Sequence, residues 1–473
     1  MSDTQHVTAD RSAPDLDVVI FGASGDLASR KVLPAVGAVA SRARLHVVGA
    51  GRSDLSNERF RQAVGETTGR TDLAADADWV RLDYGDPATY GGLLQALRRD
   101  AAVYYLATPP STFAPILSAL ASSGLTHRGD ASRIVVEKPL GEDEATAHQL
   151  NGQLAALFDE SQVYRIDHYL AKDTVQNVLA FRFSNALFES AWNRLLIDSI
   201  QITAAEDLDV GHRAGYYDHF GAVRDMIQNH VLQILALMTM EPPTTFDAAD
   251  IRDAKTRLLR SVRPLDPSAA VRGQYEGYQE AEGVAPGSRR ETFAAARLNI
   301  HNWRWQGVPI FVRTGKALRG AVTEAVIKFR EAPHLHLAGR PVPPIPTLLM
   351  IRFQPHEEVQ LRIGAKVPGA HFELVPAGLS LEYRRLARGP LPDAYENVFA
   401  EVLEGGHSVF PGPDEIERAW HIVDPLLRAW EAEGSPVKYA RGSWGPAEAD
   451  ALIAEHGGGA WIASAEEPGI SGV

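Results

Sequence analysis

The sequence predicts two domains in series: an α/β domain built on a doubly wound parallel sheet, then an α+β domain with a large, mainly antiparallel sheet. Three observations predict this. Short β-branched runs alternate with helical stretches up to about residue 160, the pattern of parallel strands joined by crossover helices. The first run ends in Gly22-Ala23-Ser24-Gly25-Asp26-Leu27 and passes straight into a helical pattern. In the second half, extended runs follow one another with little helix between them, as antiparallel strands do.

In chain order, strands are expected at 17–21, 45–50, 79–83, 102–107 and 132–137, with helices at 27–40, 87–99 and 112–122. Right-handed crossovers place the C-terminal ends of such strands on one rim, where ligands bind. Helices near 174–188 and 221–240 follow. Extended runs come next at 292–300, 309–314, 325–329, 347–353 and 359–363, then helices near 393–403 and 414–430. The proline-rich stretch 342–346 is expected as a loop. These elements divide the chain into a disordered polar tail (1–15), the α/β domain (16–165) and the α+β domain (166–473).

At 473 residues the chain is too long for one ordinary core, so two domains are the expected count. Apolar residues at 45% and charged residues at 23% suit a soluble globular protein. No apolar run is long enough to span a bilayer, and no signal-peptide core precedes residue 30. There is no cysteine, which excludes disulfides, thiolate metal sites and cysteine nucleophiles. A cytoplasmic location is expected. With 47 basic against 60 acidic residues the net charge is −13, which disfavours nucleic acid and anionic membranes as partners. A phosphorylated ligand must then be held by a few local lysines, arginines and helix N-termini.

The glycine loop after the first strand meets that need. Gly22 permits a tight turn, Gly25 lets the backbone approach a phosphate, and the helix opening at Asp26 and Leu27 offers free N–H groups. Gly22, Ser24, Gly25, Asp26 and Leu27 are therefore the candidate cofactor loop of a Rossmann-like domain, although the full G-x-G-x-x-G is absent. The second strand ends Gly49-Ala50-Gly51-Arg52-Ser53. NAD sites carry an acid there for the ribose 2′-OH; the Arg52 guanidinium suits a 2′-phosphate. NADP is the expected cofactor, and NAD remains a weaker alternative through Asp54.

The run Arg165-Ile166-Asp167-His168-Tyr169-Leu170-Ala171-Lys172 resembles the signature of the glucose-6-phosphate dehydrogenase family. The family pattern is also met at Val136-Glu137-Lys138-Pro139, Trp192-Asn193-Arg194, Arg224–His230, Gly315-Lys316-Ala317-Leu318 and Gly364–Gly369, in order and along nearly the whole chain. The resemblance implies oxidation of C1 of β-D-glucose 6-phosphate to 6-phosphogluconolactone, with hydride transfer to NADP, as in the oxidative pentose phosphate pathway. It implies a His–Asp pair carried over onto His230 and Asp167, with His230 as the base, and Lys138 between nicotinamide and substrate. Glu206 and Asp225 are placed on sugar hydroxyls, and His168, Tyr169, Lys172 and Lys316 on the phosphate. His168 and Lys172 are four residues apart, so on a helical turn they face one way. The family's large sheet implies a homodimer or homotetramer. No metal is implied, since hydride transfer to nicotinamide needs none.

Some positions depart from the family. Ala321 stands where a second basic residue is usual, five positions after Lys316, and Arg319 is the nearby substitute. The signature glycine is Ala171 and its following glutamate is Asp173. A different hexose phosphate or aldose, or a catalytically silent NADP-binding paralogue, are the alternative readings.

Overall fold

The computed structural model describes residues 14–129, 131–332, 336–337, 340–341, 344–369, 372–387, 389–432 and 434–462. Most of the expected tail, residues 1–13, lies outside them, and the first strand begins two residues before its expected start. The first sheet contains Asp15–Phe21 (β1), Arg44–Gly51 (β2), Asp78–Arg81 (β3), Ala101–Leu106 (β4), Arg133–Val136 (β5) and Val163–Arg165 (β6). Their order is β3-β2-β1-β4-β5-β6, and every neighbouring pair is parallel. β4 is buried throughout and β1 from Leu16 onward, as in a sheet with helices on both faces. The strand order reverses between β1 and β4, which opens a crevice at their C-terminal ends.

The helix expected over 87–99 stops sooner, as a turn at Pro87–Tyr90 and a helix at Gly91–Ala96. The cause is Asp17. Its buried carboxylate accepts the backbone N–H groups of Arg98 at 3.0 Å and Arg99 at 2.9 Å, drawing that segment out of the helix.

The second sheet is built from Ile197–Ala205 (β7), Ala270–Tyr275 (β8), Phe293–Leu298 (β9), Ile310–Gly315 (β10) and Val322–Phe329 (β11). After a ribbon of His336–Leu337 (β12) and Arg340–Pro341 (β13), it continues with Leu348–Gln354 (β14), Glu358–Lys366 (β15), Leu374–Glu382 (β16) and Val437–Tyr439 (β17). Its order is β16-β15-β14-β11-β7-β10-β9-β8-β17. Only β7–β10 and β17–β8 pair in parallel; the sheet is otherwise antiparallel. Of the proline-rich stretch 342–346, residues 342 and 343 lie outside the described residues, and 344–346 have no regular structure.

The two sheets share one continuous apolar core. The long helix Pro413–Ala432 packs on the helix Glu144–Leu157, and its Trp420 donates Nε1–H to the Leu140 carbonyl at 2.9 Å. That contact fixes the loop after β5, which carries Lys138, against the second domain.

Candidate active site

Gly22 follows β1 with φ of 80°, in the left-handed region that favours glycine. A Cβ there would fall 2.5 Å from the Ala107 carbonyl oxygen at the end of β4. The turn therefore closes only with glycine. Gly25 N–H donates to the Gly22 carbonyl at 2.9 Å, and Ser29 N–H to the Gly25 carbonyl at 3.1 Å. Ser24 Oγ lies 3.0 Å from Ser53 Oγ, tying this loop to the end of β2. Arg52 is exposed there, 5.7 Å from the Tyr84 ring. Asp54, the residue that could serve a 2′-hydroxyl, is turned toward Arg81 at 3.4 Å. A loop that a Cβ would fill, a helix start and an exposed guanidinium fit a nicotinamide dinucleotide.

The second part of the site is assembled across the domains. After Gly221 (φ of 76°) the chain enters a helix whose π-type turns span Val223–Val231. Asp225 and His230 are five residues apart, which an α-helix would set about 140° apart around its axis. The i→i+5 bonding of a π-turn stacks them on one face instead. Both then reach Lys138, whose Nζ lies 3.3 Å from Asp225 Oδ1 and 2.9 Å from His230 Nε2. Glu291 holds the start of this helix, its carbonyl accepting the Ala222 N–H at 3.1 Å.

His230 Nδ1 meets Asp167 Oδ1 at 2.5 Å, and the Tyr169 N–H donates to the same oxygen at 3.0 Å. Both side chains are buried. With Nδ1–H given to the carboxylate, Nε2 keeps its lone pair toward Lys138 and the cleft. Burial pushes the His230 imidazole below its ordinary range, against the pull of Asp167 and with the help of the Lys138 charge. Burial alone would raise Asp167 and Asp225, yet His230 draws the first and Lys138 with Lys316 the second below the usual carboxylate range. The result is a neutral imidazole oriented by an ionised acid, the arrangement of a general base. Asp167, His168 and His230 also place donor atoms within 4.8 Å of one another. The dyad hydrogen bond and Lys138 already occupy Nδ1 and Nε2 of His230.

Tyr169 stacks on His230 with ring centroids 4.1 Å apart. Its hydroxyl lies 3.2 Å from Thr323 Oγ1 and accepts from Gln354 Nε2 at 3.1 Å. Lys172 donates to Gln354 Oε1 and lies 4.1 Å from the Tyr169 ring centroid. A cavity of about 510 Å³ is lined by Lys31, His168, Lys172, Gln354, Asp393 and Tyr395, among others. Burial brings Lys172 down to about 8 and holds His168 well below its ordinary range. Lys316 is paired with Glu206 and lies 5.3 Å from the Tyr217 ring centroid.

The structure thus gathers Asp167, His230, Lys138 and Asp225 in one cluster, His168, Tyr169 and Lys172 beside it, and Glu206 with Lys316 as a pair. Thr323 touches Tyr169, whereas Ala321 lies just before β11 and is exposed. Gln354, Tyr395 and Lys31 were missed by sequence reasoning. The expected strand over 347–353 stopped one residue short of Gln354, and Lys31 is a lone lysine on a helix, with no pattern to mark it.

Two family models cover nearly the whole chain. "Glucose-6-phosphate dehydrogenase, NAD binding domain" matches residues 19–177, and "Glucose-6-phosphate dehydrogenase, C-terminal domain" matches residues 179–462. A curated relative from Treponema pallidum, glucose-6-phosphate 1-dehydrogenase, is 40% identical, covering 92% of this chain and 93% of that protein. Glucose-6-phosphate 1-dehydrogenase 2 from Mycobacterium tuberculosis is 42% identical, with 92% of each chain covered. Among solved structures, glucose-6-phosphate 1-dehydrogenase from Mycobacterium avium superposes with a TM-score of 0.84 at 36% identity, over 95% of this chain and 99% of that one. A glucose-6-phosphate dehydrogenase in complex with its substrate glucose-6-phosphate superposes with a TM-score of 0.86 at 34% identity, over 94% of this chain and 99% of that one.

Proposed function

The chain belongs to the glucose-6-phosphate dehydrogenase family, and from that premise we propose that it oxidises C1 of β-D-glucose 6-phosphate to 6-phosphogluconolactone, with NADP as its preferred cofactor. The single observation that carries the chemistry is the buried His230–Asp167 pair, whose Nε2 faces Lys138 at 2.9 Å. Bound oxidised nicotinamide supplies the hydride acceptor. His230 Nε2 takes the proton of the C1 hydroxyl as the C1–O bond becomes the lactone carbonyl and C1 gives up its hydride. Asp167 stabilises the imidazolium that forms. Lys138 Nζ, which caps Nε2 in the free protein, yields that position to the sugar hydroxyl and stays beside Asp225.

Asp225 and Glu206 accept from sugar hydroxyls, for which acceptor-only carboxylates are suited. His168, Tyr169 and Lys172 form the phosphate end, with Lys316 as a further contact. Lys31, the cavity's second ammonium beside Lys172, supports this reading because Ala321 brings none. The loop Gly22, Ser24, Gly25, Asp26 and Leu27 holds the pyrophosphate, and Lys138 also faces the nicotinamide. The absence of cysteine favours a cytoplasmic setting, and no described helix is long and apolar enough to cross a membrane. A homodimer is favoured by an apolar ladder on the outer strands: Val359 pairs with Leu381, Leu361 with Leu379 and Ile363 with Ala377. Leu379 is 61% exposed, and contiguous exposed apolar surface marks an interface.

Turnover of a panel of hexose phosphates and free aldoses tests the substrate. A strong preference for glucose 6-phosphate supports the reading, and faster turnover of another aldose replaces it. The cofactor is tested by Arg52→Ala. It is expected to raise KM for NADP about tenfold or more, the loss of one charged hydrogen-bond pair, and to leave KM for NAD nearly unchanged. Equal effects on both would contradict the assignment of Arg52.

A further inference from the structure

Beside the His230–Asp167 pair lies a small cavity of about 20 Å³, lined by Lys138, Asp167, Gln228, Gln233, Ile416 and Ala419, among others. Asp167 is 4% exposed, and its Oδ2 has no hydrogen-bond partner among the described residues, since His230 Nδ1 and the Tyr169 N–H both use Oδ1. Gln228 is buried, and its amide makes no hydrogen bond among the described residues. Gln233 accepts from Lys255 Nζ at 3.1 Å through Oε1, which leaves its Nε2 to donate. Lys255 in turn pairs with buried Glu415 at 2.8 Å, so Gln233 is held in place from behind.

A bare carboxylate oxygen in the interior is costly. One water needs about 10–15 Å³ and two to four polar partners, and this cavity supplies both. We propose that it is a binding site for one ordered water, which donates to Asp167 Oδ2 and accepts from the Gln228 and Gln233 amides, making these glutamines positioning residues for the catalytic pair. The proposal rests on His230 and Asp167 being that pair.

The water's role is electrostatic as well as steric. A donor on Oδ2 draws carboxylate charge away from the imidazolium that Asp167 faces. Without it the imidazolium is better stabilised, and His230 stays protonated to higher pH. The other charged or titratable groups around the pair include Lys138 from the loop after β5, Asp225 on the same helix, His168 and Tyr169 from the signature run, Tyr395 stacked on His168, and Lys172 beyond them.

Gln228→Met keeps the side chain's length and removes only the amide, so no other bond among the described residues is lost. The acid limb of its kcat/KM profile is expected to move up by about one pH unit, the worth of one charged hydrogen bond. Activity at pH values well below the wild-type limb should fall about tenfold, with the melting temperature little changed. A high-resolution crystal structure of the wild type should show one water within hydrogen-bond distance of Asp167 Oδ2. An unmoved acid limb, or a cavity without ordered solvent, overturns the proposal. His230→Asn, assayed alongside, separates the two readings. If it is inactive while the Gln228→Met limb stays put, only the water is lost; if it is active, the pair itself was misassigned.

Discussion

His230→Asn is expected to lower kcat by about 10²–10⁴-fold, the contribution of a positioned general base, while KM for the sugar changes little. With Nδ1 committed to Asp167 at 2.5 Å, Nε2 is the imidazole nitrogen that can take a proton once Lys138 yields it. Asparagine keeps polarity and approximate volume but cannot take a proton at neutral pH. Steady-state rates with glucose 6-phosphate and NADP check this directly. The same geometry sets the pH dependence of the wild type. The base must be neutral to act, so activity is present above its pKa and is lost as pH falls through it. Burial and the Lys138 charge lower that pKa, so the acid limb is expected below the ordinary imidazole value of about 6.5. A limb above that value would mean that Asp167 outweighs burial.

Lys172→Met is expected to raise KM for glucose 6-phosphate about 10- to 100-fold, the cost of losing a charge-assisted bond to phosphate. kcat should hardly move, because a contact remote from C1 is equally strong in the ground and transition states. Turnover of unphosphorylated glucose should be unaffected. Burial brings the wild-type ammonium down to about 8. The cation is therefore present below pH 8 and lost above it, and KM for the sugar phosphate should climb in that range. In Lys172→Met this climb disappears. Ala321→Lys acts in the opposite sense, restoring a cation five positions after Lys316 and lowering KM. A Lys172→Met variant with unchanged KM would move the phosphate away from this cavity.

What the sequence reveals depends on how locally each feature is encoded. β1 and β4 are runs of consecutive apolar residues, so they declare themselves, and the glycine loop follows directly on β1. β7 is harder to see. Its Ser199, Gln201 and Thr203 are as buried as its isoleucines, because Thr203 accepts from Arg313 and Gln201 bonds the chain near residue 460. Ser199-Ile200-Gln201-Ile202-Thr203 alternates as a half-exposed strand does, so its burial on both faces is what the pattern conceals. The end of the helix at Ala96 is set by Asp17, far away in sequence.

The site divides along the same line. His168, Tyr169 and Lys172 sit within one short run and are legible together. The meeting of Asp225 with His230 depends on π-turns that no residue in the run Val223–Val231 announces. The pairing of Lys316 with Glu206, and the arrival of Gln354 on both Lys172 and Tyr169, come from the register of β10, β7, β11 and β14. Such contacts follow from the assembled sheet and are absent from the local pattern.

The central claim is hydride transfer from C1 of glucose 6-phosphate to a nicotinamide, with His230 taking the hydroxyl proton. Glucose 6-phosphate deuterated at C1 tests it most directly, by mass spectrometry of the reduced cofactor after turnover by the purified protein with NADP. The expected result is one deuterium per reduced nicotinamide, formed together with one 6-phosphogluconolactone or its hydrolysis product. Reduced cofactor without deuterium, or no reduction with this sugar while another aldose is oxidised, would contradict it.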